Sequence, residues 1–308
     1  MPAFDYDLVI IGAGPAGLTA GLYAARARLD VLLIEKAVPG GQIIVTDWIE
    51  NYPGFPEGIS GFDLAEKMKV QAEALGLKME TAEVQSLNVT PDVKEVVLQE
   101  KTIRTRSLII ASGASPKKLG IGEDRYMGKG ISFCATCDAP FFKEKTVAAI
   151  GGGDTAVQEA IYLTKFVKKV YLIHRRDELR ATKILQERAF ANDKIEFLWD
   201  TVATGVDGFF GIEGVHVKNV KTGEEKTLKA DGCFIWVGIS PNTQFLNDSV
   251  DTDAYGFIRA DARMQTSVPG IFAAGDVRDT PLRQVSTAVG DGAIAAVSAE
   301  HYLENQSK

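Results

Sequence analysis

Two cysteines stand as Cys134-Ala135-Thr136-Cys137, the only CxxC in a chain of 308 residues. That spacing serves either redox exchange or metal binding. A four-ligand zinc site needs further thiolates or imidazoles, and with no second pair and no histidine nearby one subunit cannot assemble it, so no metal is expected. Dithiol–disulfide exchange needs a first thiol exposed enough to attack a partner and a second that trades electrons with a reductant. A helix starting here would lower a thiol pKa. Asp138 directly follows Cys137, where it would supply or take the proton of that chemistry, or else be a helix N-terminal carboxylate with no chemical role; spacing alone leaves both open. The third cysteine, Cys233, lies in the apolar run GCFIWVG and is expected to pack in the core.

The elements that must position this pair come from a repeat. Residues 8 to 35, LVIIGAGPAGLTAGLYAARARLDVLLIE, read as apolar strand, glycine turn, small-residue helix and second strand. Residues 147 to 174, VAAIGGGDTAVQEAIYLTKFVKKVYLIH, repeat the design at a constant offset: Gly12, Gly14 and Gly17 match Gly151, Gly153 and Ala156. The first glycine permits the tight turn, the second lets backbone amides approach a pyrophosphate, and the third position lets helix and strand pack closely. A lone GxGxxG is weak evidence, but both copies follow an apolar strand and open a helix. The copies diverge at their ends. Glu35 would accept hydrogen bonds from ribose hydroxyls, predicting FAD or NAD, whereas His174-Arg175-Arg176 with Arg180 would favour a 2′-phosphate, predicting NADP(H). The competing reading of the arginines is a solvated strand-end loop.

Between the copies, VQSLNV, KEVVLQ and SLIIASG at residues 84 to 111 look like strands of a small sheet, and residues 195 to 237 repeat that impression. The late segment GIFAAGDV followed by RQVSTAVGDGAIAAVSAEHYL reads as strand, Gly-Asp turn and helix; it has no counterpart in the second copy and is expected to complete the first domain. The expected fold is α/β, with two Rossmann-like, three-layer ββα dinucleotide-binding domains, the second inserted into the first: residues 1–115 with 244–308, and 116–243. A hydrophobic content of 45%, 24% charged residues and a formal net charge of −7 fit an ordinary globular chain and argue against a general nucleic-acid or anionic-membrane binder. The N-terminal MPAFDYDLVIIGAG reaches its glycine turn too early for a secretory signal or a membrane span, so the cytoplasm is the expected address.

A nicotinamide gives a two-electron hydride and a dithiol takes two electrons, so a flavin is the expected mediator between them. The nicotinamide and the CATC pair both belong to the second domain, yet each must reach the flavin of the first. Rotation of the second domain is the simplest solution, with the crossings near 114–118 and 240–244, which contain Pro116 and Pro241, as candidate hinges.

Over essentially its whole length the sequence resembles the low-molecular-weight thioredoxin reductases of bacteria and archaea. The motifs are GAGPAG with Glu35, GGQ at 40–42, ENYPG at 50–54, CATCD, GGGDTA, HRRDELRA, AAGDV and RQVSTAVGDG. The resemblance implies a tightly but non-covalently bound FAD held by Gly12, Gly14, Gly17, Glu35, Gln42, Asn51, Asp276, Arg283 and Gln284. It implies NADPH on Gly151, Gly153, Asp154, Ala156, His174, Arg175, Arg176 and Arg180. It places Cys137 against the flavin, gives Cys134 the attack on thioredoxin or a thioredoxin-like disulfide protein, and makes Asp138 the acid/base; a homodimer and the domain rotation are implied too. A flavin-dependent dithiol oxidase would not need the HRRDELR arginines, and a redox-sensing module would not need a reactive CATC. A relative with an added N-terminal thioredoxin-like region is not expected, because the first glycine turn begins about a dozen residues from Met1. The docking face for a protein substrate is expected near Cys134, with Lys143, Lys145 and Lys168 as weak candidates beside the default of solvated charge.

Overall fold

The computed structural model describes residues 4–46, 48–90 and 93–306. In chain order it begins with β1 (Tyr6–Ile11), α1 (Pro15–Arg26), β2 (Val31–Glu35), α2 (Gly61–Glu73), β3 (Lys78–Thr81), β4 (Val84–Val89), β5 (Lys94–Leu98), β6 (Thr102–Ile110) and the short β7 (Ala114–Pro116). Next come β8 (Ile131–Ser132), α3 (Ala135–Asp138), β9 (Thr146–Gly151), α4 (Asp154–Leu163), β10 (Lys169–Ile173), α5 (Lys183–Phe190) and β11 (Ile195–Leu198). They are followed by β12 (Thr201–Asp207), β13 (Gly214–Asn219), β14 (Glu225–Lys229) and β15 (Gly232–Trp236). The chain closes with β16 (Ile239–Pro241), β17 (Ile271–Ala273) and α6 (Val285–Gln306). Its contacts divide it into two units, one of residues up to Ser115 together with those from Ser240 on, the other Pro116–Ile239. The two crossings, β7 and β16, pair with each other as a two-stranded sheet.

In the first unit the sheet runs β3-β2-β1-β6-β5-β4, with β17 also on β6. Strand β1 lies parallel to β2 and β6 and is apolar on both faces. Leu8 and Ile10 join the α1–α6 side of the core, while Val9 and Ile11 join the side built with Leu87, Val96 and Ile103. Burial on both faces is why the strand reads as an unbroken apolar run rather than an alternating one. The small residues Ala16, Ala20 and Ala24 of α1 share the first cluster with Ala295 and Ala299 of α6, letting the two helices pack closely.

The strands expected to form a small separate sheet at 84–111 do not separate. Strand β6 is nine residues long and serves two partners on one edge: antiparallel β5 pairs along Thr102–Thr105, and parallel β17 pairs along Leu108–Ile110. The excursion therefore stays hydrogen-bonded to the main sheet. In the second unit the parallel sheet runs β11-β10-β9-β15-β8, and there a distinct three-stranded antiparallel sheet, β12-β13-β14, forms beside it. Val147, Ala149 and Phe234 pack with Val157, Ala160 and Leu163 of α4, whereas Ala148, Ile150, Cys233 and Ile235 pack with Val215, Val217 and Leu228. Cys233 is fully buried in β15, as its apolar run predicts, and burial pushes its thiol up to about 12 with a further rise from the Glu123 charge. Among the described residues no helix is long and apolar enough to cross a membrane, and no group of three or more His, Cys, Asp or Glu side chains is placed to hold a metal ion.

One buried carboxylate organises the entry to the second unit. Glu123 accepts hydrogen bonds from the backbone N–H groups of Leu119, Gly120 and Ile121 at 2.5, 2.8 and 2.6 Å. Burial alone would raise its pKa, but these donors and its own N–H outweigh that and hold it below its ordinary 4.5. A depressed folded-state pKa means the stabilisation is present above about pH 4.5 and lost as pH falls through the lower folded value. Glu123→Gln is expected to lose about 1–2 kcal/mol of stability at pH 7. In thermal or urea melts from pH 7 to 3 the gap to wild type should narrow below pH ~4.5; a gap independent of pH would show that charge is not the cause.

Candidate active site

The cysteines form a disulfide with Cα atoms 5.4 Å apart. Cys134 is the N-cap of α3, and its Sγ accepts a hydrogen bond from the N–H of Cys137 at 3.1 Å. Cys134 is half-buried and Cys137 is exposed. The turn is tied down from three sides. Ser132 Oγ accepts from Cys134 N and donates to Cys134 O, both at 3.0 Å. Trp236 Nε1 donates to the carbonyl of Phe133 at 3.0 Å. Glu159 of α4, buried, accepts from Ala135 N at 3.2 Å. Asp138 ends α3, its N–H donating to Cys134 O at 3.3 Å.

The second glycine turn lies in the same unit. Gly151 sits at φ +151°, and a Cβ there would meet the Trp236 carbonyl at 2.4 Å, so only glycine fits between strand and helix. A Cβ on Gly153, the N-cap of α4, would meet nothing within 4 Å: the turn opens onto free space at a helix N-terminus, as a pyrophosphate requires. Asp154 Oδ1 accepts from Thr182 N at 2.7 Å, and Arg180 N donates to Gly152 O at 2.7 Å, folding the HRRDELRA loop back over the turn. The His174 ring lies against Gly152. Its Nε2 is buried without a hydrogen-bond partner among the described residues, and burial followed by the Arg180 charge depresses its pKa. Arg175, Arg176 and Arg180 are exposed, and none has a carboxylate partner among the described residues. An orphaned ring nitrogen beside three unpaired cations and an open glycine cradle fits a phosphorylated dinucleotide.

In the first unit Gly12, at φ +102°, brings the turn against Ala111, whose carbonyl a Cβ would meet at 2.4 Å. Ala156 stands where the first copy has Gly17, whose added Cβ would lie 1.8 Å from the Gly12 carbonyl; the second copy leaves room for that methyl. Gly14 faces only Gly41, at 3.9 Å, and Gln42 follows, exposed. Glu35 accepts from Ala13 N at 2.8 Å and Ala37 N at 3.0 Å, contacts that fix its carboxylate at the turn and leave acceptor capacity for a ribose. Asn51 and Gln284, distant in sequence, meet at 3.0 Å. Arg283 reaches the Asp276 carbonyl at 3.5 Å and stacks on Phe257 at 4.1 Å. Burial raises the pKa of Asp276, opposed by Arg283, and its carboxylate has no hydrogen-bond partner among the described residues. A half-buried acceptor with room for a hydroxyl donor, next to the open Gly14 turn, fits a flavin dinucleotide.

Sequence reasoning missed the side chains beneath these groups. Asp291 of α6 receives Arg278 through both oxygens at 2.6 and 2.9 Å and also accepts from Gly275 N at 3.1 Å, fixing the residue before Asp276. Glu159 was missed likewise. The RQVSTAVGDG motif contains Asp291, but nothing in its spacing names a partner.

The model of the family described as pyridine nucleotide-disulphide oxidoreductase matches residues 6–292. The chain belongs to that family. A member from Bacillus subtilis (strain 168), named thioredoxin reductase, is 46% identical over 301 residues, spanning 97% of this chain and 95% of that protein. The crystal structure of Lactococcus lactis thioredoxin reductase, in what its authors term the FR conformation, superposes with a TM-score of 0.96 at 46% identity, over 98% of this chain and all of that one. The T. acidophilum thioredoxin reductase structure gives 0.92 at 37% identity, over 98% and 99% of the two chains. This pyridine nucleotide-disulphide oxidoreductase is a flavoprotein that works with FAD and NADPH, and it has the two-domain dinucleotide-binding fold of those structures.

Proposed function

We propose that the chain is an NADPH-dependent thioredoxin-disulfide reductase. The observation that carries the reading is the Cys134–Cys137 disulfide, held on a turn that is hydrogen-bonded to the helix of the second dinucleotide motif. Bound NADPH supplies a hydride, and bound FAD relays its two electrons to the disulfide. Gly12, Gly14, Gly17, Glu35, Gln42, Asn51, Asp276, Arg283 and Gln284 hold FAD; Gly151, Gly153, Asp154, Ala156, His174, Arg175, Arg176 and Arg180 hold NADPH.

In the dithiol form the Cys134 sulfur attacks one sulfur of the oxidised partner, making a mixed disulfide and releasing one partner thiolate. The Cys137 N–H that points at Cys134 Sγ stabilises the attacking thiolate. Cys137 then attacks Cys134 Sγ, re-forming the internal disulfide and releasing the second partner thiolate. Asp138 exchanges the protons of the two thiols with solvent at its carboxylate. Phe141, 73% exposed and three residues beyond Asp138, offers a partner an apolar ring beside the pair. Lys143, Lys145 and Lys168 are exposed on the same unit.

Because the nicotinamide and the cysteines need one flavin in turn, the reading includes rotation of residues 116–239 about the paired crossings that carry Pro116 and Pro241. It also takes the chain as a cytoplasmic homodimer; light scattering at micromolar concentration is expected to return twice the chain mass, and a monomer would remove that part. The activity is tested by anaerobic bleaching of the flavin with NADPH, then addition of oxidised thioredoxin. Recovery of the oxidised flavin spectrum supports the reading, and bleaching without recovery would reject thioredoxin as the partner.

A further inference from the structure

Glu159 is a buried carboxyl group that the electron path does not use. It lies within α4, six residues beyond Gly153, and its Oε2 takes the Ala135 N–H, the first amide of the helix that Cys134 caps. A carboxylate in this place does two things: it satisfies an otherwise orphaned helix-start donor, and, held on the amide that follows Cys134, it brings a negative charge to the turn whose sulfur turns negative on reduction. The second effect opposes the Cys137 N–H, which draws charge onto the same sulfur. A cysteine pair whose thiolate is strongly stabilised becomes an oxidant, because its reduced form is favoured; a pair whose thiolate is held back remains a reductant.

We propose that Glu159 is a positioning residue that also sets the redox poise, its charge opposing the Cys134 thiolate so that the pair stays strongly reducing. The inference rests on the reading that Cys134 and Cys137 cycle between disulfide and dithiol, a change that takes up two electrons and, when both sulfurs end as thiols, two protons. The other titratable groups on this turn and on α4, the helix packed against it, are Asp138, Tyr162 and Asp154; the Asp154 carboxylate is committed to Thr182 N.

The test uses the flavin-loaded protein and needs neither NADPH nor thioredoxin, so its failure is separate from failure of the proposed activity. The protein is equilibrated in dithiothreitol redox buffers, quenched with acid and alkylated, and the reduced fraction is read by mass above the one constant label on the free thiol of Cys233. Glu159→Gln keeps an acceptor for Ala135 N and removes the charge. Measured at about pH 10, where the Cys134 thiolate dominates, it should shift the equilibrium about tenfold toward the reduced pair, about 30 mV, and lower the pH midpoint of Cys134 alkylation by about one unit. Glu159→Asp, which keeps the charge, should stay within twofold of wild type. Equal shifts in both variants, or none in Glu159→Gln, would overturn the proposal. Should Glu159→Gln fail to fold, Glu159→Met, uncharged and of similar length, takes its place with the same two readouts and the same two outcomes.

Discussion

Cys137→Ser is expected to leave the flavin fully bleachable by NADPH and to abolish thioredoxin reduction. The loss in turnover should be on the order of 10³-fold or more, because a covalent relay with one member removed has no slower alternative. Binding of either dinucleotide should be untouched, since the pair lies on α3 and not on the glycine turns. Cys134→Ser should be equally inactive and the double variant no worse, the non-additivity of groups that act as one unit. The readouts are flavin absorbance under anaerobic NADPH and the rate of its recovery on adding oxidised thioredoxin. Recovery in Cys137→Ser at even a tenth of the wild-type rate would mean that electrons leave the flavin by another route.

The second large effect belongs to the arginines. Replacing Arg175, Arg176 and Arg180 together with alanine removes three cations that have no carboxylate partner among the described residues, so little of the loss is offset by relief elsewhere. A charge-assisted hydrogen bond contributes about 1.5–3 kcal/mol, discounted here because all three side chains are exposed. Roughly 3–4 kcal/mol in total remains, or 10²–10³-fold in kcat/KM for NADPH. The loss should fall on KM, because the groups meet a 2′-phosphate remote from the transferred hydride. Values for NADH should change by less than about threefold. Parallel losses for both nucleotides would return the cluster to a solvated loop with a structural role.

These two expectations are legible in the sequence because their residues are local. A CxxC and an HRRxxxR cluster announce themselves by spacing, and a βαβ unit by the switch from an apolar strand to a glycine turn and a small-residue helix. The groups that hold them in place were not legible. Glu159 reaches Ala135 across 24 residues, and Asp291 serves Arg278 and Gly275 across turns of no fixed period. Nothing in the sequence around Glu123 marks the three backbone amides that donate to it. Carboxylates that bind main-chain N–H groups leave no complementary side chain to read. The sheet of the first unit was misjudged for a related reason: strand pattern shows which residues alternate, not that the nine residues of β6 divide one edge between β5 and β17.

The split composition of the first unit also bears on how the chain is made. Strand β17 and helix α6 follow the inserted residues Pro116–Ile239, so the ribosome releases the whole second unit before the first can close its sheet. Until then the buried end of β6 and the small-residue face of α1 have no cover, and α1 waits on the last helix of the chain. The insert carries its own parallel sheet and closes between two adjoining strands, so it can fold while its host is still unfinished. Synthesis therefore favours assembling the redox module first and sealing the flavin module around its two ends last, with the nascent host open to chaperones during the interval.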